Sequence, residues 1–208
     1  MQGLGMASFR KDLFNAPNIM SLSRIVAAPV LALFWLGLDW KAAGLALGTL
    51  MGLTDLADGV VARRLNKITD LGGLLDQVGD LVFEATCLIL AVSIGGLWVG
   101  WLIVYLMREF VVSTARSYVV SKGGRLPSTM LGKAKSNYLQ WAFFIFFLGT
   151  ILLDPGMVPA SASLAGVPPG RLLVWVADVS MITGIVLGLV SGWIYLKGFA
   201  AFYTGRAS

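Results

Sequence analysis

The chain has 208 residues, of which 57% are apolar and only 13% charged, and its net charge is +5. This composition excludes an ordinary soluble domain and predicts an all-α integral membrane protein. The absence of histidine and the presence of a single cysteine exclude histidine bases, histidine-ligated metals and disulfides within the chain. The basic residues lie at predicted helix ends, which favours contact with an anionic membrane surface and argues against a nucleic-acid partner.

Residues 1–16 combine Phe9, Leu13 and Phe14 with charged neighbours, which predicts a short amphipathic helix on the membrane surface. Residues 17–208 are predicted to form one domain of six transmembrane helices, since each span needs about 20 mostly apolar residues. The predicted spans cover residues 19–38, 42–61, 74–94, 97–120, 137–153 and 172–202. The main predicted connections are a tight Gly95-Gly96 turn, a basic loop at 122–135 and a loop rich in Pro, Gly, Ala and Ser at 154–171.

The basic residues predict the orientation of the spans. Of the 16 Lys and Arg residues, all except Lys41 and Arg171 fall on one side of the predicted bundle. By the positive-inside rule that side is cytoplasmic, and it carries both termini. We therefore expect a multi-pass protein of the inner (cell) membrane.

Four acidic residues mark the cytoplasmic end of the second and third predicted spans. They are Asp55, Asp58, Asp76 and Asp80. The first two are spaced i, i+3 and the last two i, i+4, so each pair shares one face of its helix. Carboxylates crowded in this way repel one another unless a cation neutralises them, and all-oxygen ligands suit Mg²⁺, Mn²⁺ or Ca²⁺. For any one acid, the alternative is a salt bridge to Arg63, Arg64 or Lys67.

Small residues accompany the acids. Gly59 follows the second aspartate directly, Ala62 lies one turn further on, and Gly72 precedes the third. Small residues let helices pack closely, but they also leave room for a flat group such as a nucleobase against the backbone. Arg63 can neutralise phosphate oxygens beside the acids.

Together these residues spell a signature that resembles a known family. Asp55-x-x-Asp58-Gly59-x-x-Ala62-Arg63, eight residues, Gly72-x-x-x-Asp76-x-x-x-Asp80 matches in full the signature of the CDP-alcohol phosphatidyltransferase family. Two further segments resemble bacterial phosphatidylglycerophosphate synthases and the related cardiolipin synthases. They are Asn15-Ala-Pro-Asn18-x-x-Ser21-x-x-Arg24, and Arg108-Glu109 followed by Gly132-Lys133-x-Lys135-Ser136. Ser21 and Ser136 stand where threonine is usual in those proteins.

The resemblance implies an enzyme that transfers a phosphatidyl group from CDP-diacylglycerol to an alcohol and releases CMP, acting as a homodimer. It implies that two Mg²⁺ or Mn²⁺ ions are held by Asp55, Asp58 and Asp76, with Asp80 also near the metals and acting as general base. It further implies CDP contacts from Asp58, Gly59, Ala62, Arg63 and Gly72. A carboxylate base agrees with the absence of histidine, and metal ions on the diphosphate would stabilise the transition state.

The acceptor alcohol is predicted from basic residues on the same side as the acids. These are Arg108, Arg116, Lys133 and Lys135. Clustered basic residues without paired acids suit a phosphorylated acceptor such as glycerol 3-phosphate, although positive-inside anchoring explains them as well.

Several other functions remain open at this point. Within the family, the acceptor could be phosphatidylglycerol, as in cardiolipin synthases, or an inositol phosphate or serine. A cation or proton transporter would also place acids in membrane helices, but it does not explain the glycines and Arg63 at fixed spacing. A catalytically silent scaffold would have no need for four intact aspartates.

Overall fold

The structure, a computed structural model, describes residues 16–65, 70–124 and 130–204, apart from the side chains at 16–17, 55–65, 70–71 and 160. These residues form six α-helices, and the extended backbone among them is limited to an isolated bridge between Leu164 and Val167. The helices are α1 Ala16–Ala32, α2 Lys41–Leu65, α3 Asp70–Ser93, α4 Val99–Ser121, α5 Met130–Leu152 and α6 Pro169–Tyr203. The predicted all-helical class is confirmed for the described residues. The predicted surface helix lies outside them, except for Ala16, which begins α1.

The chain divides into two compact units between Leu90 and Ala91. The first unit contains α1, α2 and most of α3. Its α1 helix continues into a wider, π-helical segment, Leu33–Gly37, in which the Leu38 amide donates to the Leu33 carbonyl at 2.9 Å. The buried Trp35 ring of this segment lies against Gly44 of α2, where any side chain would collide with the indole. A bulky aromatic opposite a glycine therefore sets how closely α1 and α2 pack.

The second unit contains the last turn of α3 together with α4, α5 and α6. Its core includes Leu139, Phe146 and Met181, which are all fully buried. Gly149 of α5 and Gly170 of α6 face one another where the two backbones come close together. A Cβ on Gly149 would lie 2.9 Å from the Gly170 carbonyl oxygen, so glycine permits this backbone approach.

Two helix boundaries differ from the prediction. The α5 helix begins at Met130, so Lys133 and Lys135 belong to a helix and not to a basic loop. Met, Leu, Lys and Ala are good helix formers, and nearby charge does not prevent a helix from extending beyond its apolar part. The α6 helix begins at Pro169, a favoured residue for the first helical position, so Arg171 lies in its first turn. The predicted turn at Gly95 is confirmed, with φ +85°.

Two of the described helical stretches, Asn18–Gly37 and Pro169–Tyr203, are long and apolar enough to cross a membrane by length and composition.

Candidate active site

Asp76 and Asp80 lie one helical turn apart on α3, and so their carboxylates share one side of the helix, as their spacing predicts. Both side chains are about half exposed, at 51% and 42% of their surface. Two carboxylates this close raise one another's energy unless positive charge lies nearby.

Arg24 of α1 supplies that positive charge. Its Nη2 atom lies 2.7 Å from Asp76 Oδ1, and its Nη1 atom forms a second ion pair with Asp80 Oδ1. The arginine itself is buried, with 2% of its side chain exposed. The Ser21 hydroxyl, one turn before it, also donates to Asp76 Oδ1 at 3.4 Å. One guanidinium is thus shared by two acids, and the three charged groups together carry a net charge of −1.

A close approach of α1 and α3 makes these ion pairs possible. Gly79, between the two aspartates, lies against the Ser21 backbone, and a Cβ there would be 2.8 Å from the Ser21 carbonyl oxygen. Asn18 and Ser21 are buried on the same face of α1 as Arg24. The polar face of α1 therefore packs against the acidic face of α3.

The other residues predicted to bind metal or CDP lie on α2 and at the start of α3. The residues Asp55, Asp58, Gly59, Ala62 and Arg63 all belong to α2, and their side chains lie outside those described. The helical backbone confirms that the first two aspartates are spaced on a helix as predicted. Gly72 lies in the first turn of α3.

Among the described side chains, no group of three or more acidic, cysteine or histidine residues is placed to hold a metal ion. Asp76 and Asp80 are the two predicted metal ligands whose side chains are described, and their chemistry fits a hard cation. Both offer carboxylate oxygens, on one helix face, with access to solvent.

A second ionic cluster lies in the second unit and is built around Glu109 of α4. Its Oε1 atom accepts from Arg108 Nη1 at 2.6 Å and from Lys135 Nζ of α5 at 2.8 Å. The ammonium of Lys135 also lies 5.0 Å from the centre of the Tyr105 ring. Side-chain exposure is 18% for Glu109, 10% for Arg108 and 7% for Lys135. Here one acid is shared by two bases, and the three groups carry a net charge of +1.

Arg108 joins this cluster to α6. Its Nε atom donates to the Gly188 carbonyl at 2.8 Å, and Nη2 donates to the Ser191 hydroxyl at 3.2 Å. Gly188 and Gly192 leave room for the side chain, because a Cβ on Gly192 would lie 3.2 Å from Arg108 Cγ. All three guanidinium nitrogens of Arg108 are therefore engaged.

The structure corrects the prediction that these basic residues lack paired acids. Arg108 and Lys135 are brought together by Glu109, which follows Arg108 directly in the chain. Arg116 makes a different contact: its Nη2 atom donates to the Tyr195 hydroxyl at 3.0 Å, and its guanidinium carbon lies 5.3 Å from the centre of that ring. Lys133 is exposed on α5.

The sequence analysis placed Arg24 and Glu109 in segments that resemble known enzymes but predicted no role for either residue. Salt bridges to Arg63, Arg64 or Lys67 were the alternative considered for a single acid, whereas Asp76 and Asp80 pair with an arginine from the first helix. An arginine within an otherwise apolar helix was the available signal, because such a charge is costly without a partner. The same argument applies to Glu109 in α4.

Long apolar helices with buried ionic clusters are typical of proteins that bind or transform charged substrates at membranes. The chain belongs to the CDP-alcohol phosphatidyltransferase family, whose model matches residues 14–190. The family predicted from the aspartate signature is thus confirmed, and the protein is an enzyme. Family membership and the two long apolar helices together indicate a membrane protein.

Several relatives carry the name CDP-diacylglycerol–glycerol-3-phosphate 3-phosphatidyltransferase. The protein of that name from Bacillus subtilis (strain 168) is 29% identical, over 93% of this chain and 100% of its own length. The one from Rickettsia bellii (strain RML369-C) is 26% identical, over 91% of this chain and 97% of its own. The one from Escherichia coli (strain K12) is 30% identical, over 60% of this chain and 71% of its own.

Proposed function

We propose that the enzyme transfers a phosphatidyl group from CDP-diacylglycerol to glycerol 3-phosphate, giving phosphatidylglycerophosphate and CMP. The observation that carries this proposal is the similarity, along nearly the whole chain, to relatives named for that reaction. The cluster around Glu109 supports a phosphorylated acceptor. Its excess positive charge is largely buried, and a charge-assisted hydrogen bond to phosphate is strongest in such a place.

The proposal includes a divalent-metal site formed by Asp55, Asp58, Asp76 and Asp80. The partly exposed carboxylates of the last two support it, since Mg²⁺ and Mn²⁺ prefer hard oxygen ligands. Two such ions, when bound, would stabilise the negative charge that develops on the diphosphate and on the departing CMP.

Asp80 is the proposed general base. It would accept the proton of the acceptor hydroxyl while the hydroxyl oxygen attacks the β-phosphorus of CDP-diacylglycerol. A phosphorus–oxygen bond to the acceptor forms as the bond to CMP breaks, and the proton ends on the Asp80 carboxylate. The 42% exposure of this side chain supports access for a substrate hydroxyl.

The cytidine diphosphate would be held by residues of the signature. Gly59, Ala62 and Gly72 leave room for the nucleotide against the helix backbone, while Asp58 and Arg63 would contact its polar groups. These roles follow the family signature in the sequence.

Four basic residues are proposed to bind the acceptor phosphate: Arg108, Arg116, Lys133 and Lys135. Lys135 supports this best, because it is buried beside a second positive charge and shares the Glu109 carboxylate with it. Arg116 could also donate a hydrogen bond to the phosphate, since its Nε is buried without a hydrogen-bond partner among the described residues. Arg108 would act mainly by positioning, because its nitrogens already bind Glu109 and α6.

The membrane arrangement is part of the same proposal. Residues 17–208 would form one six-span domain preceded by a surface helix at 1–16, with both termini and the reaction centre cytoplasmic, in a homodimer in the inner membrane. The distribution of Lys and Arg along the chain supports this orientation.

The decisive experiment measures CMP release by the purified protein in detergent micelles with CDP-diacylglycerol and Mg²⁺. Separate reactions contain glycerol 3-phosphate, phosphatidylglycerol, inositol 1-phosphate, serine or no acceptor. We expect CMP release with glycerol 3-phosphate alone. Release with phosphatidylglycerol would indicate a cardiolipin synthase. No release with any acceptor would contradict the proposed reaction.

A further inference from the structure

We propose that Arg24 is a positioning residue for the metal-binding carboxylates: it holds Asp76 and Asp80 side by side before metal binds, and its charge opposes the metal. This inference rests on the proposed metal site. It concerns a residue of α1, outside the aspartate signature, whose guanidinium bridges two of the signature's acids.

The geometry is that of a bridge and not of a single ion pair. Nη2 of Arg24 binds Asp76 and Nη1 binds Asp80, so two nitrogens of one rigid, planar group fix two carboxylates relative to each other. The Ser21 hydroxyl lies within 3.5 Å of Arg24 Nη2 and 3.4 Å of Asp76 Oδ1, and adds a third polar contact. The acids are thereby arranged by α1 and not by α3 alone.

The carboxylates can bind a cation while they accept from Arg24. Arg24 contacts the Oδ1 atom of each aspartate, and carboxylate oxygens are hard ligands for divalent cations. The arginine is buried and the carboxylates are about half exposed, so a cation from solvent would approach on the side opposite the guanidinium. A metal and Arg24 would then bind the same pair of carboxylates from two sides.

Arg24 should therefore raise turnover but lower the affinity for the metal. Its fixed donors orient the carboxylates, which favours catalysis by reducing the reorganisation that the reaction needs. Its positive charge repels a divalent cation bound to the same acids, which weakens metal binding. A residue that only stabilises the fold would show neither effect.

The test compares wild-type protein with Arg24→Gln by calorimetric titration with Mn²⁺, and by melting temperature in EDTA and in Mn²⁺. We expect Mn²⁺ to bind the variant about tenfold more tightly, because a like charge has been removed. The variant should melt well below wild type in EDTA, where its carboxylates repel one another, and approach wild type in saturating Mn²⁺. Its turnover should nevertheless fall about 10- to 100-fold.

Arg108→Gln is the matched control, because Arg108 is also a mostly buried arginine paired with a carboxylate. We expect that variant to lose the same amount of stability with and without Mn²⁺, and its Mn²⁺ affinity to remain that of wild type. If Arg24→Gln behaves in the same way, the positioning role is wrong. If wild-type protein itself shows no Mn²⁺ binding, the metal site and this inference both fail.

Arg24→Lys tests separately whether one side chain must contact both carboxylates. It also keeps the proposal testable if the glutamine variant does not fold. Lysine keeps the charge but lacks the planar fork that reaches two carboxylates at once. We expect Mn²⁺ affinity within about twofold of wild type and turnover reduced at least about tenfold, with the loss in kcat and not in KM. A lysine variant with wild-type turnover would overturn the proposal.

Discussion

Two ionic clusters among the described side chains are opposite in charge. In the first unit one base, Arg24, is shared by Asp76 and Asp80, whereas in the second unit one acid, Glu109, is shared by Arg108 and Lys135. The first arrangement has an excess negative charge and suits a cation. The second has an excess positive charge and suits an anion. The three named groups of each cluster thus carry a net charge opposite in sign to that of the proposed ligand.

The clusters also differ in which member is buried. In the first, the base is buried and the acids are about half exposed, so the groups that would bind the ligand face solvent. In the second, all three groups are largely buried, and Arg108 has each guanidinium nitrogen engaged. Buried charges are expensive unless each is paired. This difference fits the proposal of an accessible reaction centre in the first unit and a preformed acceptor site in the second.

Removing metal should have the largest effect, because the proposed reaction depends on the ions that Asp76 and Asp80 of the first cluster help to hold. We expect EDTA to abolish CMP release and Mg²⁺ or Mn²⁺ to restore it, since the carboxylates cannot stabilise a developing negative charge by themselves. Activity is measured after exhaustive chelation and again after each metal is added back. Full activity in the chelated protein would contradict the metal mechanism.

Asp80→Asn should have the next largest effect. The amide cannot accept the acceptor's proton, so we expect turnover to fall about 10²- to 10⁴-fold, the usual contribution of a general base. Binding of CDP-diacylglycerol, measured by calorimetry, should change little. Asp76→Asn is the matched variant on the same helix face, and we expect it to weaken Mn²⁺ binding as well. If both variants lose turnover and metal binding to the same extent, Asp80 is chiefly a ligand.

Lys135→Met tests the second cluster. The substitution leaves Arg108 and Glu109 as a neutral pair, so the excess positive charge disappears. A charge-assisted hydrogen bond contributes about 1.5–3 kcal/mol, and we expect KM for glycerol 3-phosphate to rise roughly ten- to hundredfold. KM for CDP-diacylglycerol should stay unchanged.

Lys133→Met is the matched comparison for that experiment, because Lys133 is also proposed to bind the acceptor phosphate but is exposed on the same helix. Solvent screens its charge, so we expect a change of at most about threefold in KM for glycerol 3-phosphate. Equal effects of the two substitutions would mean that burial does not distinguish these lysines. The second cluster would then not be a preformed anion site.

The helices could largely be predicted from the sequence, whereas the partners of the charged residues could not. Long apolar runs predicted the helices, and the glycine pair predicted the turn at Gly95, since both signals are local. The spacing of Asp76 and Asp80 predicted a shared helix face for the same reason. Their pairing with Arg24 depends on how α1 packs against α3, more than 50 residues away in the chain. No spacing rule covers such a contact.

The prediction of unpaired basic residues was wrong for Arg108 and Lys135, for a related reason. Adjacent residues on a helix do not normally face each other, so Glu109 is an unexpected partner for Arg108. Their long side chains meet because Lys135 attracts the carboxylate and the α6 backbone draws Arg108 beside it. The start of α5 was missed because its first turns carry Lys133 and Lys135, and this basic segment was interpreted as a loop.

Gly79→Ala should have the smallest effect and acts on the first cluster through the backbone. The new methyl group would lie 2.8 Å from the Ser21 carbonyl oxygen, so α1 must move away from α3 and Arg24 must move with it. Overpacking of this kind costs about 1–3 kcal/mol. We expect a lower melting temperature and a severalfold lower turnover, while KM for glycerol 3-phosphate stays unchanged.

Gly73→Ala is the matched control for Gly79→Ala, because it lies on the same helix and a Cβ there meets no atom within 4 Å among the described residues. Alanine is the better helix former by about 1 kcal/mol, so this variant should be at least as stable as wild type. If Gly79→Ala is as stable and active as Gly73→Ala, the Ser21 carbonyl moves aside without displacing Arg24. The close approach of α1 and α3 would then not be what holds the two carboxylates in place.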